Sequence, residues 1–301
     1  MRPAIAQTAT VVIATKNRKE ELRRAVASSV VQHGKVDVLV IDDGSTDGTS
    51  EMVRAEFPSV RLERRKESRG YIARRNEGAK LAGGQVVFSI DDDAEFSSPD
   101  IIQTTLQEFN DPKIIAVAIP FVDVNRSSSV RQEAPSDEGL WLANEYIGTA
   151  HAILREAFNS LGGYCASFLH QGEEGDFSIR ALDAGYFVRL GRAKPILHYE
   201  SLKRSAERMN VYGQRNLMLF AWHNVPFPEL LIHLPATVLK GGWWGLRHHC
   251  LLFRLRGTLE GMRYIFQERY RRKPVTRGCY KLYRYLKKNC PVEGTRLLRP
   301  E

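Results

Sequence analysis

Cysteine is scarce: the four residues Cys165, Cys250, Cys279 and Cys290 stand far apart, with no C-x-x-C pair. That spacing suggests neither a disulfide framework nor a zinc site, and reduced thiols in the cytosol fit best. Long apolar runs are missing too. The longest, residues 230–239, is interrupted by His233 and Pro235, well short of the roughly 20 residues a spanning helix needs, so no transmembrane helix is expected. Residues 1–10 lack the charged start and apolar core of a secretory leader, and no leader is expected. Glycine is absent from Thr15-Lys16-Asn17-Arg18, after the first expected strand. A dinucleotide dehydrogenase or a sugar nucleotidyltransferase would carry a glycine-rich phosphate loop there. Internal repeats and low-complexity tracts are also lacking. With 43% hydrophobic and 26% charged residues, disorder is not the default.

Acidic residues thin out towards the end of the chain. Residues 240–301 hold 16 Lys or Arg against four Glu and no Asp, a surplus of twelve, while residues 1–239 hold 28 basic against 31 acidic residues. The overall charge of +9 is therefore a property of the C-terminal tract.

Short β-branched runs at 10–14, 36–41, 60–63 and 86–90 alternate with longer amphipathic ones at 18–32, 48–56 and 71–82. This is the pattern of βαβ units on a mainly parallel sheet. Polar clusters follow three of the runs: Thr15-Lys16-Asn17-Arg18, Asp42-Asp43-Gly44-Ser45 and Asp91-Asp92-Asp93. Ligands of open α/β sheets bind beyond the carboxyl ends of the strands, so the three clusters are expected to share one crevice. A further strand is expected at 114–124, then a Ser-rich charged loop at 125–138, and a boundary near residue 225 ahead of Pro226 and Pro228. The expected architecture is α/β over 1–225, with a nucleotide-binding half at about 9–124 and an acceptor half at about 125–225. A helical, basic C-terminal region covers 226–301.

Four constellations carry chemistry. Asp42-Asp43-Gly44-Ser45-Thr46-Asp47 follows an apolar strand and also reads as a plain strand-to-helix turn; as an EF-hand loop it fails, because position 12 is Arg54 where a bidentate Glu is required. Asp91-Asp92-Asp93 crowds three carboxylates at a strand end. They repel one another unless solvent, hydrogen bonds or a cation compensates, and a hard divalent ion with oxygen ligands suits them. Glu173 and Glu174 stand at the N-terminal end of an expected helix, where the dipole alone would favour them. His198 follows a short apolar run in Leu197-His198-Tyr199-Glu200-Ser201, as a structural histidine also would.

Together and in this order, these motifs resemble family 2 glycosyltransferases, the large inverting group with a GT-A fold; the likeness spans about residues 9–222. Val11-Val12-Ile13-Ala14-Thr15-Lys16-Asn17-Arg18 looks like the family's first strand and nucleotide loop, which places Thr15, Asn17 and Arg18 on the nucleotide-sugar. The resemblance implies a donor-base contact for Asp43, a nucleotide-side role for Arg75, and a D-x-D region at Asp91-Asp92-Asp93. In that region Asp93 binds the metal, while Asp91 and Asp92 hold ribose or metal waters, Asp91 counting also as a metal ligand. His198 is implied as a further ligand. Gly172-Glu173-Glu174 falls at the family's catalytic Glu-Asp motif, with Glu174 in place of the expected Asp, so the base lies between Glu173 and Glu174, and Glu174 is preferred.

The implied reaction is transfer of one sugar from a UDP-, GDP- or dTDP-sugar to an acceptor hydroxyl, assisted by Mg²⁺ or Mn²⁺. The acceptor is a saccharide or a lipid-linked one, as in bacterial cell-surface polysaccharide synthesis. A sugar nucleotidyltransferase and a non-catalytic nucleotide-sugar-binding module are the alternatives, and a response-regulator receiver is too short. Nucleic acid is not expected as a partner, for want of a recognised motif and because an acidic crevice repels phosphate without a metal. In the C-terminal tract Leu251, Leu255, Leu259, Met262, Phe266 and Tyr270 recur at helical spacing among Arg and Lys, with Trp243 and Trp244 before them. That combination fits an anionic membrane surface, and implies a cytoplasmic protein seated peripherally on the inner membrane face.

Overall fold

The computed structural model describes residues 8–201, 205–295 and 297–298. Residues 1–7, which make up most of the segment expected to be no leader, lie outside the described residues. The N-terminal part alternates β1 (Thr8–Thr15), α1 (Lys19–Val30), β2 (Lys35–Asp42), α2 (Thr49–Glu56), β3 (Arg61–Arg64), α3 (Tyr71–Leu81) and β4 (Val86–Ile90). Next come β5 (Ala94–Glu95), α4 (Ile101–Gln107), β6 (Ile114–Ala118), β7 (Phe121–Asp123), β8 (Val130–Arg131), β9 (Trp141–Ala143), β10 (Ala150–Leu154) and α5 (Arg155–Ser160). The chain continues through α6 (Glu173–Asp183), β11 (Phe187–Leu190), β12 (Ile196–His198), α7 (Ala206–Asn224), α8 (Leu230–Arg247), α9 (Leu251–Gln267), α10 (Arg277–Asn289) and β13 (Val292–Glu293).

The main sheet has the strand order β13-β9-β11-β6-β10-β4-β1-β2-β3. β4, β1, β2 and β3 run parallel, while β10 pairs antiparallel with both β4 and β6. The alternation of side chains explains why these strands are apolar throughout. Val11, Ile13, Val38, Val40, Val86 and Phe88 enter the core on one face, and Val12, Leu39, Ile41 and Val87 the core on the other. A strand covered by helices on both faces reads as a continuous hydrophobic run.

The expected strand at 114–124 is instead two strands in different sheets. β6 belongs to the main sheet, whereas β7 joins a small sheet of order β5-β12-β7-β8. The break falls at Pro120, which has no N–H to continue a ladder; its carbonyl accepts from Ile196 N at 2.8 Å and so opens the second sheet. β8 lies within the segment read as loop. After α7 ends at Asn224, α8 and α9 pack along it, α10 returns to α6, and β13 returns to β9 and forms the edge of the main sheet.

Candidate active site

Because β1, β2 and β4 are parallel neighbours, their carboxyl ends open on one edge of the sheet. The polar clusters behind them line a cleft of about 870 Å³, shared with the turn at Gly148, the start of α6, the end of β12 and the first turn of α7.

The Asp91-Asp92-Asp93 turn is closed by the Ala94 N–H donating to the Asp91 carbonyl at 3.1 Å. Its carboxylates part company in their partners. Asp92 accepts from Thr15 Oγ1 at 2.8 Å, and burial pushes its carboxyl up to about 7 against the pull of Arg18. Arg18 donates from Nη1 to Asp93 at 2.5 Å and to Asp92 at 3.3 Å. Burial would raise Asp93 as well, but facing His198 and Arg18 it is held below the ordinary carboxylate range. Asp91 accepts from Arg75 Nη2 at 2.6 Å.

His198, at the end of β12, lies against Asp123 at the end of the parallel neighbour β7, with Nδ1 2.5 Å from Asp123 Oδ1. Its other nitrogen, Nε2, lies 3.2 Å from Asp93 Oδ1 and 3.8 Å from Asp91 Oδ2, yet this buried atom has no hydrogen-bond partner of sound geometry. A buried polar atom left in that state is costly. Here it points at two carboxylates, and one ligand atom each from Asp91, Asp93 and His198 lie within 4.8 Å of one another. Two oxygens and an imidazole nitrogen, with the second ring nitrogen fixed by a carboxylate, form a donor set that suits a divalent cation.

On the opposite wall, Gln171 (φ 67°) and Gly172 (φ 84°) turn the chain into α6. Glu174 faces the cleft, whereas Glu173 is fully buried behind it. Glu173 lies 3.5 Å from Arg75 Nη1 and accepts from the Tyr71 hydroxyl at 3.4 Å. Burial raises both carboxyls above the usual range, Glu173 more so because Glu174 repels it as well. Arg75 stacks 4.9 Å over the Tyr71 ring and donates to the Gly148 carbonyl at 2.9 Å. A Cβ on Gly148 would collide with Glu174 Oε1 and come within 2.7 Å of Arg75 Nη1, so a larger residue there would push the ends of these two side chains aside.

Thr15, Arg18, Arg75, Asp91, Asp92, Asp93, Glu174 and His198 thus line one cleft, and Asp43 borders it. Both Asp43 oxygens accept from the loop that follows β3, from Ser68 Oγ at 2.6 Å and from the Arg69 and Gly70 amides at 2.9 Å, and Oδ1 also from Arg74 Nε at 2.5 Å. Burial opposes ionisation there, but these donors outweigh it and lower the pKa. Asn17 is not part of the wall. Held at φ 54°, a left-handed conformation asparagine tolerates, it accepts from Thr46 N at 2.8 Å, while its own amide donates to Ser45 Oγ at 2.9 Å, so it ties the first two loops together. Asp123, Tyr71 and Gly148 escaped the sequence reading. Asp123 ends a strand much as Asp91 does, but no local signal pairs it with a histidine 75 residues later.

A mainly parallel α/β sheet whose strand ends converge on an acidic, cation-competent cleft is the arrangement of GT-A glycosyltransferases. This chain belongs to glycosyl transferase family 2, whose model matches residues 10–168. It is 30% identical over 122 residues to the succinoglycan biosynthesis protein ExoU of Rhizobium meliloti, covering 40% of this chain and 35% of that protein. It is 28% identical over 193 residues to a glucosyl-dolichyl phosphate glucuronosyltransferase of Haloferax volcanii, covering 58% of this chain and 59% of the relative. The chain therefore matches less than two thirds of either relative's length. In fold it is similar to the mannosyltransferase PcManGT of Pyrobaculum calidifontis, solved with GDP-Man and Mn²⁺, at a TM-score of 0.58 and 19% identity over 95% of this chain and 85% of that one. It is similar as well to S. aureus TarS 1-349 in complex with UDP, at a TM-score of 0.59 and 14% identity over 78% and 72% of the two chains.

Proposed function

We propose that this glycosyltransferase moves one sugar from a nucleoside diphosphate sugar to an acceptor hydroxyl by direct displacement, with inversion at the anomeric carbon. The observation that carries the reading is the convergence of Asp91, Asp93 and the orphaned His198 Nε2 on the cleft that Glu174 also faces. In this reading Asp91, Asp93 and His198 hold a divalent cation, Mg²⁺ or Mn²⁺, which when bound supplies Lewis-acid stabilisation of the leaving diphosphate. The solved neighbours that carry GDP-Man with Mn²⁺, or UDP, support the cation and the donor class.

Glu174 acts as the base. It takes the proton of the incoming hydroxyl as oxygen bonds to the anomeric carbon and the sugar–phosphate bond breaks, its electron pair leaving with the diphosphate. A partly buried carboxylate with a raised pKa suits that task. Arg75 fixes the wall between the two functions by bonding Asp91 on one side and facing Glu173 on the other. The acceptor is a saccharide, free or lipid-linked. A product assay with a panel of donor sugars tests the reading: transfer releases a nucleoside diphosphate, and release of pyrophosphate would establish the nucleotidyltransferase alternative instead.

Two further outcomes follow from the geometry. Asp123→Asn, which weakens the acceptor on His198 Nδ1, is expected to raise the Mn²⁺ concentration needed for diphosphate binding about 10- to 100-fold, the usual worth of such a partner, in a metal titration followed by calorimetry. Gly148→Ala displaces the far end of the Glu174 side chain. A misplacement of about 1 Å can cost about 100-fold in rate, so kcat/KM is expected to fall on that scale with little change in Tm; unchanged kinetics would show that the ends of Glu174 and Arg75 yield without disturbing the site.

A further inference from the structure

α8 and α9 are built inside out. On an ordinary surface helix the large apolar residues face the core and the small or polar ones face water. Here the buried positions of both helices include glycines. A Cβ on Gly241 would collide with Gln214 of α7, one on Gly257 with the Val211 carbonyl, and one on Gly261 would come within 2.9 Å of Met218 Sδ. The two helices approach each other closely through Gly245, whose added Cβ would lie 2.8 Å from Leu251 Cα. Leu251 is therefore half-buried, and the exposed stripe of α9 starts one residue later than its spacing suggested.

Leu252, Leu255, Leu259, Met262 and Phe266 recur at intervals of three and four, from 47% to 79% exposed. On α8, Ile232, Leu239 and Trp243 are 77%, 73% and 68% exposed. Rows of large apolar side chains exposed on two helices packed side by side mark an interaction surface. Arg263 interleaves the α9 stripe at an exposed position, and Arg269, Arg271 and Lys273 follow it, whereas Arg256 is paired with Glu207 and Glu260. They belong to the tract whose surplus is twelve positive charges. Among the described residues no helix is long and apolar enough to cross a membrane.

We propose that the α8–α9 hairpin seats the protein on the surface of an anionic lipid bilayer, with the apolar stripe in the acyl–headgroup boundary and the arginines among the headgroups. Charge complementarity decides the occupant: an apolar stripe alone would suit a second copy of the chain, but a copy would bring the same positive field against itself, whereas an anionic bilayer offers apolar depth and negative charge together. The position of the hairpin fits a working role. Arg256 donates to Glu207 in the first turn of α7, next to Arg208 and Met209, which line the cleft. The bilayer would thus lie beside the cleft mouth and, resting on the glycosyl-transfer reading, could present an acceptor carried on lipid.

The test is sedimentation of the full chain with liposomes, without donor, comparing neutral phosphatidylcholine with vesicles containing phosphatidylserine at low and high salt. Pelleting on anionic vesicles, reduced by salt, is expected. It should fall about ten-fold or more for Ile232→Ser/Trp243→Ser/Leu252→Ser/Phe266→Ser and, separately, for Arg263→Glu/Arg269→Glu. Diphosphate binding, measured on the same samples, reports that each variant is folded and that the cleft is intact. Failure to pellet with binding retained overturns the bilayer seat and leaves the cleft reading standing; loss of binding with pelleting retained does the reverse. Equal pelleting on neutral and anionic vesicles overturns the charge argument. A concentration-dependent dimer in light scattering, dispersed by the four-serine variant and without vesicle binding, assigns the face to a second copy.

Discussion

Asp93→Ala is expected to abolish turnover and to remove the metal dependence of nucleoside diphosphate binding, while the protein remains folded. Asp93 meets both sides of the proposed cation site, lying 3.2 Å from His198 Nε2 and 2.5 Å from Arg18. Its removal takes away one of the three ligand groups and leaves Arg18 paired with Asp92, so no buried charge is left without a counter-ion. A ligand that binds only the folded protein stabilises it by RT ln(1 + L/Kd), L being the free ligand concentration, and so raises Tm the more tightly it binds. The measurement is therefore the thermal shift caused by diphosphate with and without Mn²⁺. The wild-type protein should show a large Mn²⁺-dependent shift and the variant none. A variant that keeps a metal-dependent shift would place the cation elsewhere.

Glu174→Gln is expected to lose roughly two to four orders of magnitude in kcat, the usual worth of a positioned general base, with donor binding nearly intact. Glutamine keeps the shape and the hydrogen-bonding reach of the side chain but cannot accept the proton. Burial raises the Glu174 carboxyl, and the working form of a base is the ionised one. For the wild-type enzyme kcat/KM should therefore fall as pH drops through a value above that of an ordinary carboxylate, and this acid limb should vanish from the residual activity of the variant. Glu173→Gln, whose side chain has no exposure to the cleft and lies against Arg75 and Tyr71, should change kcat much less. The larger loss falling on Glu173 would exchange the two roles.

The adjacent pair Glu173-Glu174 marks where reading the sequence stops. Both residues are acidic and both open a helix, and consecutive helical positions differ by about 100° around the axis. Which one meets the cleft is decided by how α6 rotates against Arg75 and the Gly148 turn, and a one-dimensional string does not contain that rotation. The same holds for α9, where periodicity predicts a stripe but the glycine contacts at Gly257 and Gly261 decide that the bulky residues lie outside, starting from Leu252. The break at Pro120 had a visible cause, since proline cannot continue a ladder. That the chain would then change sheets depended on a strand, β12, more than 70 residues later.

What the amino-acid order determined by itself was local and repetitive. The apolar runs of β1, β2 and β4, their alternation with helices, and the acidic or polar residues that end each strand follow from short-range periodicity. They were enough to bring Thr15 and Arg18, Asp43, and Asp91, Asp92 and Asp93 to one crevice; Arg75 and Glu174 were assigned only through the resemblance to family 2 glycosyltransferases. What only the tertiary structure decided was pairing over long separation. It set Asp123 behind His198, aimed the free imidazole nitrogen at Asp91 and Asp93, surrounded Asp43 with donors from the loop after β3, and turned Asn17 into a brace between loops. These contacts join residues 25 to more than 100 positions apart. They exist because parallel strands bring their carboxyl ends to one edge whatever their distance along the chain, and the packing of the elements then selects which side chains meet there.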